Sequence, residues 1–171
     1  MTTRAVAAPT PLRAEHDAAA FASGQHDTLD SWLRQRALTS EGLSARTYVI
    51  CDAAAPQRIV GYYTITTAME QRAALPSAKL RRAMPEQVPL LLVARLAVDR
   101  EWQGLGLGGD LLGDALRRCF AASVIAGARG IAVHAIDEAA ARFYEHHGFL
   151  RSPLGELTLI LPIEALRGII D

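Results

Sequence analysis

Residues 90 to 112, LLLVARLAVDREWQGLGLGGDLL, set an apolar strand before a glycine-rich loop and that loop before a helix, and this succession limits what the chain can become. From Leu90 to Val98 the residues are mostly aliphatic with no turn former, so the pattern predicts a strand buried on both faces, interrupted by Arg95. A polar bridge, Asp99 to Trp102, leads into Gln103, Gly104, Leu105, Gly106, Leu107, Gly108 and Gly109, after which leucines recur on one helical face. Glycines in such a loop let the backbone approach a ligand and adopt conformations that a Cβ forbids. The first N–H groups of the new helix have no acceptor within it and lie at the positive end of its dipole. The loop is therefore a candidate anion site, suited to a phosphate or pyrophosphate.

Gly104, Gly106 and Gly109 also satisfy G-x-G-x-x-G, a weak dinucleotide signal on its own. A Rossmann site carries its first glycine in the turn directly after the first strand, whereas here five residues, Asp99 to Gln103, intervene and about 90 residues precede the strand. The acidic ribose ligand expected ~20 residues later is missing as well, because the helical pattern continues to Ala126.

At 171 residues the chain fits one domain with a sizeable core. Its 18 basic residues balance its 18 acidic ones, so no global field draws in nucleic acid or an anionic membrane, and any basic surface is local. All the basic residues except Lys79 are arginines, which suit bidentate contact with phosphate, although a bias toward Ala and Arg is the plainer account. Cys51 and Cys119 form neither a disulfide framework nor a metal set and read as small buried hydrophobes of a reducing compartment. The N-terminus has no apolar signal core, and no run reaches the ~20 residues that span a bilayer, so a cytoplasmic protein without membrane contact is expected.

Along the chain, residues 1 to 10 read as a loose end, Pro11 to Ala14 as a short strand and Asp17 to Ser23 as one or two helical turns. Asp27 is placed to cap a helix whose apolar side includes Leu29, Trp32 and Leu33. Arg46 to Cys51 and Arg58 to Ala68 read as antiparallel strands, and in the second Tyr62 and Tyr63 must face opposite sides. Gln71 to Pro89, with three prolines around the cluster Lys79, Arg81 and Arg82, reads as a loop with a short helix. After the long helix, a strand from Gly130 to Ile136, a helix from Asp137 to His146, a strand from Leu157 to Leu161 and a helix from Pro162 to Gly168 complete an α+β or α/β chain around a mixed sheet.

Two motifs carry a resemblance. Gln103-x-x-Gly106-x-Gly108 resembles the pyrophosphate loop of the GNAT N-acetyltransferases. Asp137-x-x-Ala140-x-x-x-Tyr144, followed by Gly148-Phe149, is similar to that family's Asn-x-x-Ala-x-x-x-Tyr pattern, with Asp137 in place of Asn but still a good helix cap. The resemblance implies an α+β GNAT fold: a mixed, mostly antiparallel sheet of six to seven strands, splayed between strands 4 and 5, with four to five helices, in a single domain over 11–171 behind a flexible 1–10. It also implies that acetyl-CoA binds along Leu96, Ala97 and Val98, across Gln103, Gly104, Leu105, Gly106, Leu107, Gly108 and Gly109, and beside Asp137, Phe143 and Tyr144. No metal is implied.

Amine attack on a thioester makes an oxyanion and expels a thiolate. The oxyanion is expected to meet the backbone N–H of Val98, and Tyr144, a phenol of pKa ~10, stays protonated at neutral pH and can protonate the sulfur. No general base stands out among Glu101, His134, His146 and His147, which suits an α-amine of pKa ~8 better than a lysine of ~10.4. More narrowly, LDSWLRQRA from Leu29, RTYVICD from Arg46, IVGYYTIT from Ile59, the segment from Val88 and VHAIDEAAARFYEHHGF from Val133 resemble the GNAT toxins of bacterial type II toxin-antitoxin modules. That implies acetylation of the α-amine of aminoacyl-tRNA, a block of translation, a homodimer and a ribbon-helix-helix antitoxin. Arg34, Arg36, Lys79, Arg81, Arg82 and Arg95 are then candidates for contact with tRNA phosphates. Competing expectations are a GNAT enzyme acting on a small amine or protein N-terminus, and a non-catalytic CoA-binding regulatory module.

Overall fold

The computed structural model describes residues 4–170. Its elements run β1 (Thr10–Pro11), α1 (Asp27–Gln35), α2 (Ala37–Ser40), β2 (Arg46–Asp52), β3 (Ala55–Gln71), α3 (Ala78–Arg81), β4 (Gln87–Val98), α4 (Leu107–Ile125), β5 (Gly130–His134), α5 (Glu138–His146), β6 (Leu150–Ser152), β7 (Gly155–Pro162) and α6 (Ile163–Ile170). Hydrogen-bonded strand neighbours follow the order β1-β2-β3-β4-β5-β7-β6, a seven-stranded mixed sheet in which β4 and β5 are the parallel pair. That parallel register covers Leu91 to Val93 against Ile131 to Val133. Six α-helices lie among the described residues against the four to five expected, because α2 and α3 are single turns of four residues. No helix among them is long and apolar enough to cross a membrane.

The chain divides into two compact units, one holding the chain up to Ile65 with Arg95–Ala115, the other Thr66–Ala94 with the chain from Leu116. In the first, Leu12, Phe21, Leu33, Val49, Ile59, Tyr62 and Ala97 form a core on which Leu29 and Trp32 pack. Tyr62 and Tyr63 do face opposite sides: the Tyr62 hydroxyl donates to the Leu29 carbonyl at 2.6 Å, whereas the Tyr63 hydroxyl donates to Asp114 on α4. A Cβ at Gly61 would stand 3.0 Å from Leu111, so glycine in β3 is what lets α4 lie this close to the strand. In the second unit, Leu75, Leu80, Val88, Leu90, Ala132 and Ile160 cluster against Met84 and Leu92.

Several local expectations are corrected. Residues 5 to 7 are tied to β2 and its end, with Ala7 N–H donating to the Cys51 carbonyl and Ala53 N–H to that of Ala5, since strand donors seek carbonyls rather than solvent. Asp17 to Ser23 is not helical: Asp17 bridges Arg58, accepts from Ile59 N–H at 3.0 Å and leaves only a turn at Ala18–Phe21. Asp27 opens α1 instead of capping it, the cap being His26 without a side-chain bond, and both Asp27 and Asp30 favour the helix dipole from the first turn. β4 is not buried on both faces, since Gln87 and Pro89 are exposed and Leu91, Leu92, Arg95 and Leu96 are half-buried. β6 was not expected, three residues being too short to show alternation.

Both cysteines are buried, and burial raises both thiols, Cys119 up to about 12. Gly130 gives a sharper test of packing, because a Cβ there would fall 2.4 Å from the Leu161 carbonyl oxygen on β7. Gly130→Ala is expected to destabilise the protein by about 1–3 kcal/mol, read as a lower urea midpoint at unchanged slope.

Candidate functional site

In the first unit the end of β4 is fastened before the glycine loop begins. Asp99, buried, accepts from Glu101 N–H at 3.0 Å and Ala22 N–H at 3.2 Å, while its own N–H donates to the Val60 carbonyl at 2.8 Å. Strand alternation then turns the N–H and carbonyl of Val98 away from β3. That carbonyl receives the Gln103 side-chain amide at 2.9 Å, and the same nitrogen donates to Ser23 at 2.8 Å. Gln103 thus braces the loop with its side chain, and what it can offer a ligand is its main chain. Leu96 and Val98 are half-buried and Ala97 is buried on Tyr62.

Gly104 and Gly106 have φ of +78° and +83°, and a Cβ on either would meet nothing within 4 Å. Their role is conformational, and the space beside them is open. Leu105 between them is exposed, and Leu107, buried, is the first residue of α4. Asp110 N–H bonds to Gly106 at 3.2 Å, so the N–H groups of Leu107, Gly108 and Gly109 precede the first bond of the helix. Three donors in succession beside open space suit a diphosphate. The exposed Asp110 carboxylate in that first turn opposes such an anion.

Beside the loop, Arg4 lies 5.1 Å over the Trp102 ring, and Glu101 is ion-paired with Arg58 at 3.2 Å. Elsewhere in this unit the Arg95 guanidinium stacks 4.1 Å over Trp32, which itself stacks on Tyr62 with rings 6.2 Å apart. Arg34 donates to the Phe21 carbonyl at 2.6 Å, and Arg36 is exposed where α1 passes into α2.

In the second unit α5 begins as the sequence indicates, with Asp137 Oδ1 accepting from Ala140 N–H at 2.8 Å. Its end is fixed by Gly148, at φ +96°, whose turn lets Phe149 N–H donate back to Tyr144 at 3.1 Å. Phe149, buried, then meets the Tyr144 ring edge-on at 5.5 Å, and the half-buried Phe143 does so at 5.2 Å. Tyr144 is only 7% exposed, and burial pushes its phenol above the ordinary value. With its pKa raised, the phenol keeps its proton at neutral pH. His134 lies at the end of β5, 3.2 Å from Thr158, while His146 and His147 sit at the end of α5. Lys79 and Arg82 are exposed around α3, and Arg81 donates to Leu75 at 2.7 Å. No cluster of metal ligands occurs among the described residues.

The sequence reading missed the fastening of Asp99 and the stack of Arg95 on Trp32. Its one signal for the second was an arginine inside an apolar strand. Because both loop glycines sit at positive φ, Gly104→Ala and Gly106→Ala are each expected to cost about 1–2 kcal/mol in thermal or urea unfolding although nothing obstructs the added methyl.

A family model described as an acetyltransferase (GNAT) domain matches residues 44–151. The chain is similar to a tRNA-acetylating toxin of Mycobacterium tuberculosis (strain ATCC 25618 / H37Rv), with 40% identity over 164 residues that cover 95% of this chain and 96% of that protein. Its fold matches AtaT complexed with acetyl-methionyl-tRNAfMet at a TM-score of 0.88 and 27% identity, covering 98% of this chain and 100% of that one. It also matches AtaTR bound with AcCoA at a TM-score of 0.81 and 28% identity, covering 97% and 98%.

Proposed function

Because the chain belongs to the GNAT acetyltransferase family, we propose that it is a toxin that moves the acetyl group of acetyl-CoA onto the α-amine of aminoacyl-tRNA and so blocks translation. The near full-length likeness to a tRNA-acetylating toxin carries this reading. The chain is an acetyl-CoA-dependent N-acetyltransferase. Acetyl-CoA supplies an activated acyl group on a sulfur that can leave.

The protein's part is to hold the coenzyme, meet the developing charge and return a proton. The donors of Leu107, Gly108 and Gly109, with the open backbone at Gly104 and Gly106, receive the diphosphate, while Leu96 to Val98 lie along the pantetheine arm. Val98, its N–H turned from β3, meets the oxyanion. Tyr144 gives its proton to the departing sulfur, and burial keeps that phenol protonated to higher pH than a free one. Asp137, its carboxylate engaged with Ala140, orients α5.

The RNA is bound by local charge, because the chain as a whole has none. Arg36, Lys79 and Arg82 meet phosphates, and Arg34, Arg81 and Arg95, each anchored to the protein, offer a remaining guanidinium edge. The protein works as a cytoplasmic homodimer, where charged tRNA is found, and a ribbon-helix-helix antitoxin encoded alongside restrains it.

Tyr144→Phe is expected to lower turnover about 100-fold or more while calorimetry finds acetyl-CoA binding unchanged. Expression of the wild type arrests growth and expression of Tyr144→Phe does not; harmless wild-type expression would defeat the toxin reading. Incubation with labelled acetyl-CoA and bulk charged tRNA places label on the amino acid, not on uncharged RNA. If Lys79 and Arg82 contact phosphates, alanine at either lowers the slope of log KM for tRNA against log salt by about 0.7 to 0.9.

A further inference from the structure

β5 ends at His134, one residue beyond its last registered pair with β4, Val93 with Val133. The ring is oriented by β7: Nδ1 lies 3.2 Å from Oγ1 of Thr158, the register partner of His134 across the β5–β7 ladder. With Nδ1–H donating to that hydroxyl oxygen, the lone pair of the neutral imidazole is on Nε2. Nε2 stands 4.0 Å from Oε1 of Glu70, on the stretch of β3 within the same unit. This gap is too long for a hydrogen bond. Two acceptors so spaced can, however, both receive N–H donors from one nitrogen placed about 3 Å from each. A primary amine has the donors to satisfy both, and a hydroxyl has only one. The side chains of His134 and Glu70 are 51% and 23% exposed, so the pair can be reached from solvent. The charged group facing the imidazole is Glu70 from β3; β7 presents the uncharged Thr158, and the β5 neighbours Val133 and Ala135 are buried and apolar.

We propose that Nε2 of His134 and Oε1 of Glu70 form the seat of the acceptor amine, with His134 as the base that takes the proton this amine must lose. The inference rests on the acetyl-transfer reading and adds where the nucleophile is held. An α-amine on an ester needs little help to become neutral, so the base acts after attack. The amine nitrogen forms a bond to the thioester carbonyl carbon and is left with one proton too many. His134 Nε2 takes that proton, beside the Glu70 carboxylate that offsets the imidazolium charge. The carbon–sulfur bond breaks, the thiolate takes the proton of Tyr144, and water returns the proton from His134 to the tyrosinate. The products are the amide and the free thiol, with every proton accounted for.

The test measures steady-state acetylation of bulk charged tRNA by the wild type, His134→Gln, His134→Ala and Glu70→Gln from pH 6 to 9. His134→Gln is expected to lose about 100-fold in kcat at neutral pH and to approach the wild type as pH rises, since hydroxide can then take the proton. Added imidazole restores turnover to His134→Ala, a rescue that a purely structural role would not give. Glu70→Gln raises KM for charged tRNA several-fold, and all variants keep the wild-type KM for acetyl-CoA and the wild-type melting temperature. A wild type that acetylates charged tRNA beside variants that match it at every pH, with no imidazole effect, overturns the proposal and leaves the substrate reading standing. A wild type that acetylates another primary amine instead, with the variants deficient on that amine, overturns the substrate reading and supports the seat.

Discussion

A single buried carboxylate governs the junction from which the glycine loop leaves the sheet. Asp99 holds Ala22 and Glu101 by their N–H groups while its own backbone reaches Val60, so the end of β4 is anchored from three directions. Without those bonds the N–H groups of Ala22 and Glu101 would lose their acceptors, and the chain would have no fixed point from which to leave the sheet. Gln103 completes the junction by joining Ser23 to Val98. The glycines that follow can then take left-handed conformations at defined positions, and the first turn of α4 presents its donors from a rigid base. Acidic and amide side chains here do mechanical work, holding the backbone of the junction in place.

α5 follows a parallel logic, with Asp137 setting its start and Gly148 its end, so that Tyr144 is clamped between Phe143 and Phe149. Arg151 adds an outer tie, with a nitrogen 2.5 Å from Glu138 and 2.7 Å from Glu145, which joins β6 to both ends of the helix. Burial of the phenol acts in one direction only. It holds the proton on the oxygen more tightly than in a free tyrosine, so Tyr144 stays protonated at neutral pH.

What could be read in the sequence was what depends on near neighbours. The glycine loop, the Asp137 cap three residues before its donor and the Gly-Phe turn four residues after Tyr144 all have local signatures, and each stands where it was expected. The opposite sides of Tyr62 and Tyr63 followed from alternation alone. What was hidden depends on partners far along the chain: Ala22 lies 77 residues from Asp99, and Thr158 lies 24 from His134. Asp17 to Ser23 misled because its composition suits a helix while its backbone is engaged by Gln57 and Ile59. His134 illustrates the limit best. As a strand histidine it is unremarkable, and only register with β7 and the approach of Glu70 give it a chemical setting.

The sealed thiols have a practical consequence. Cys51 is 3% exposed and Cys119 not at all, so neither presents a sulfur to a maleimide while the fold is intact. A cysteine engineered on the surface would then be the single site for a fluorophore or spin label, with no need to strip the native pair from the sequence. Distances across a working molecule, with and without coenzyme or RNA, become accessible to spectroscopy in an otherwise natural background.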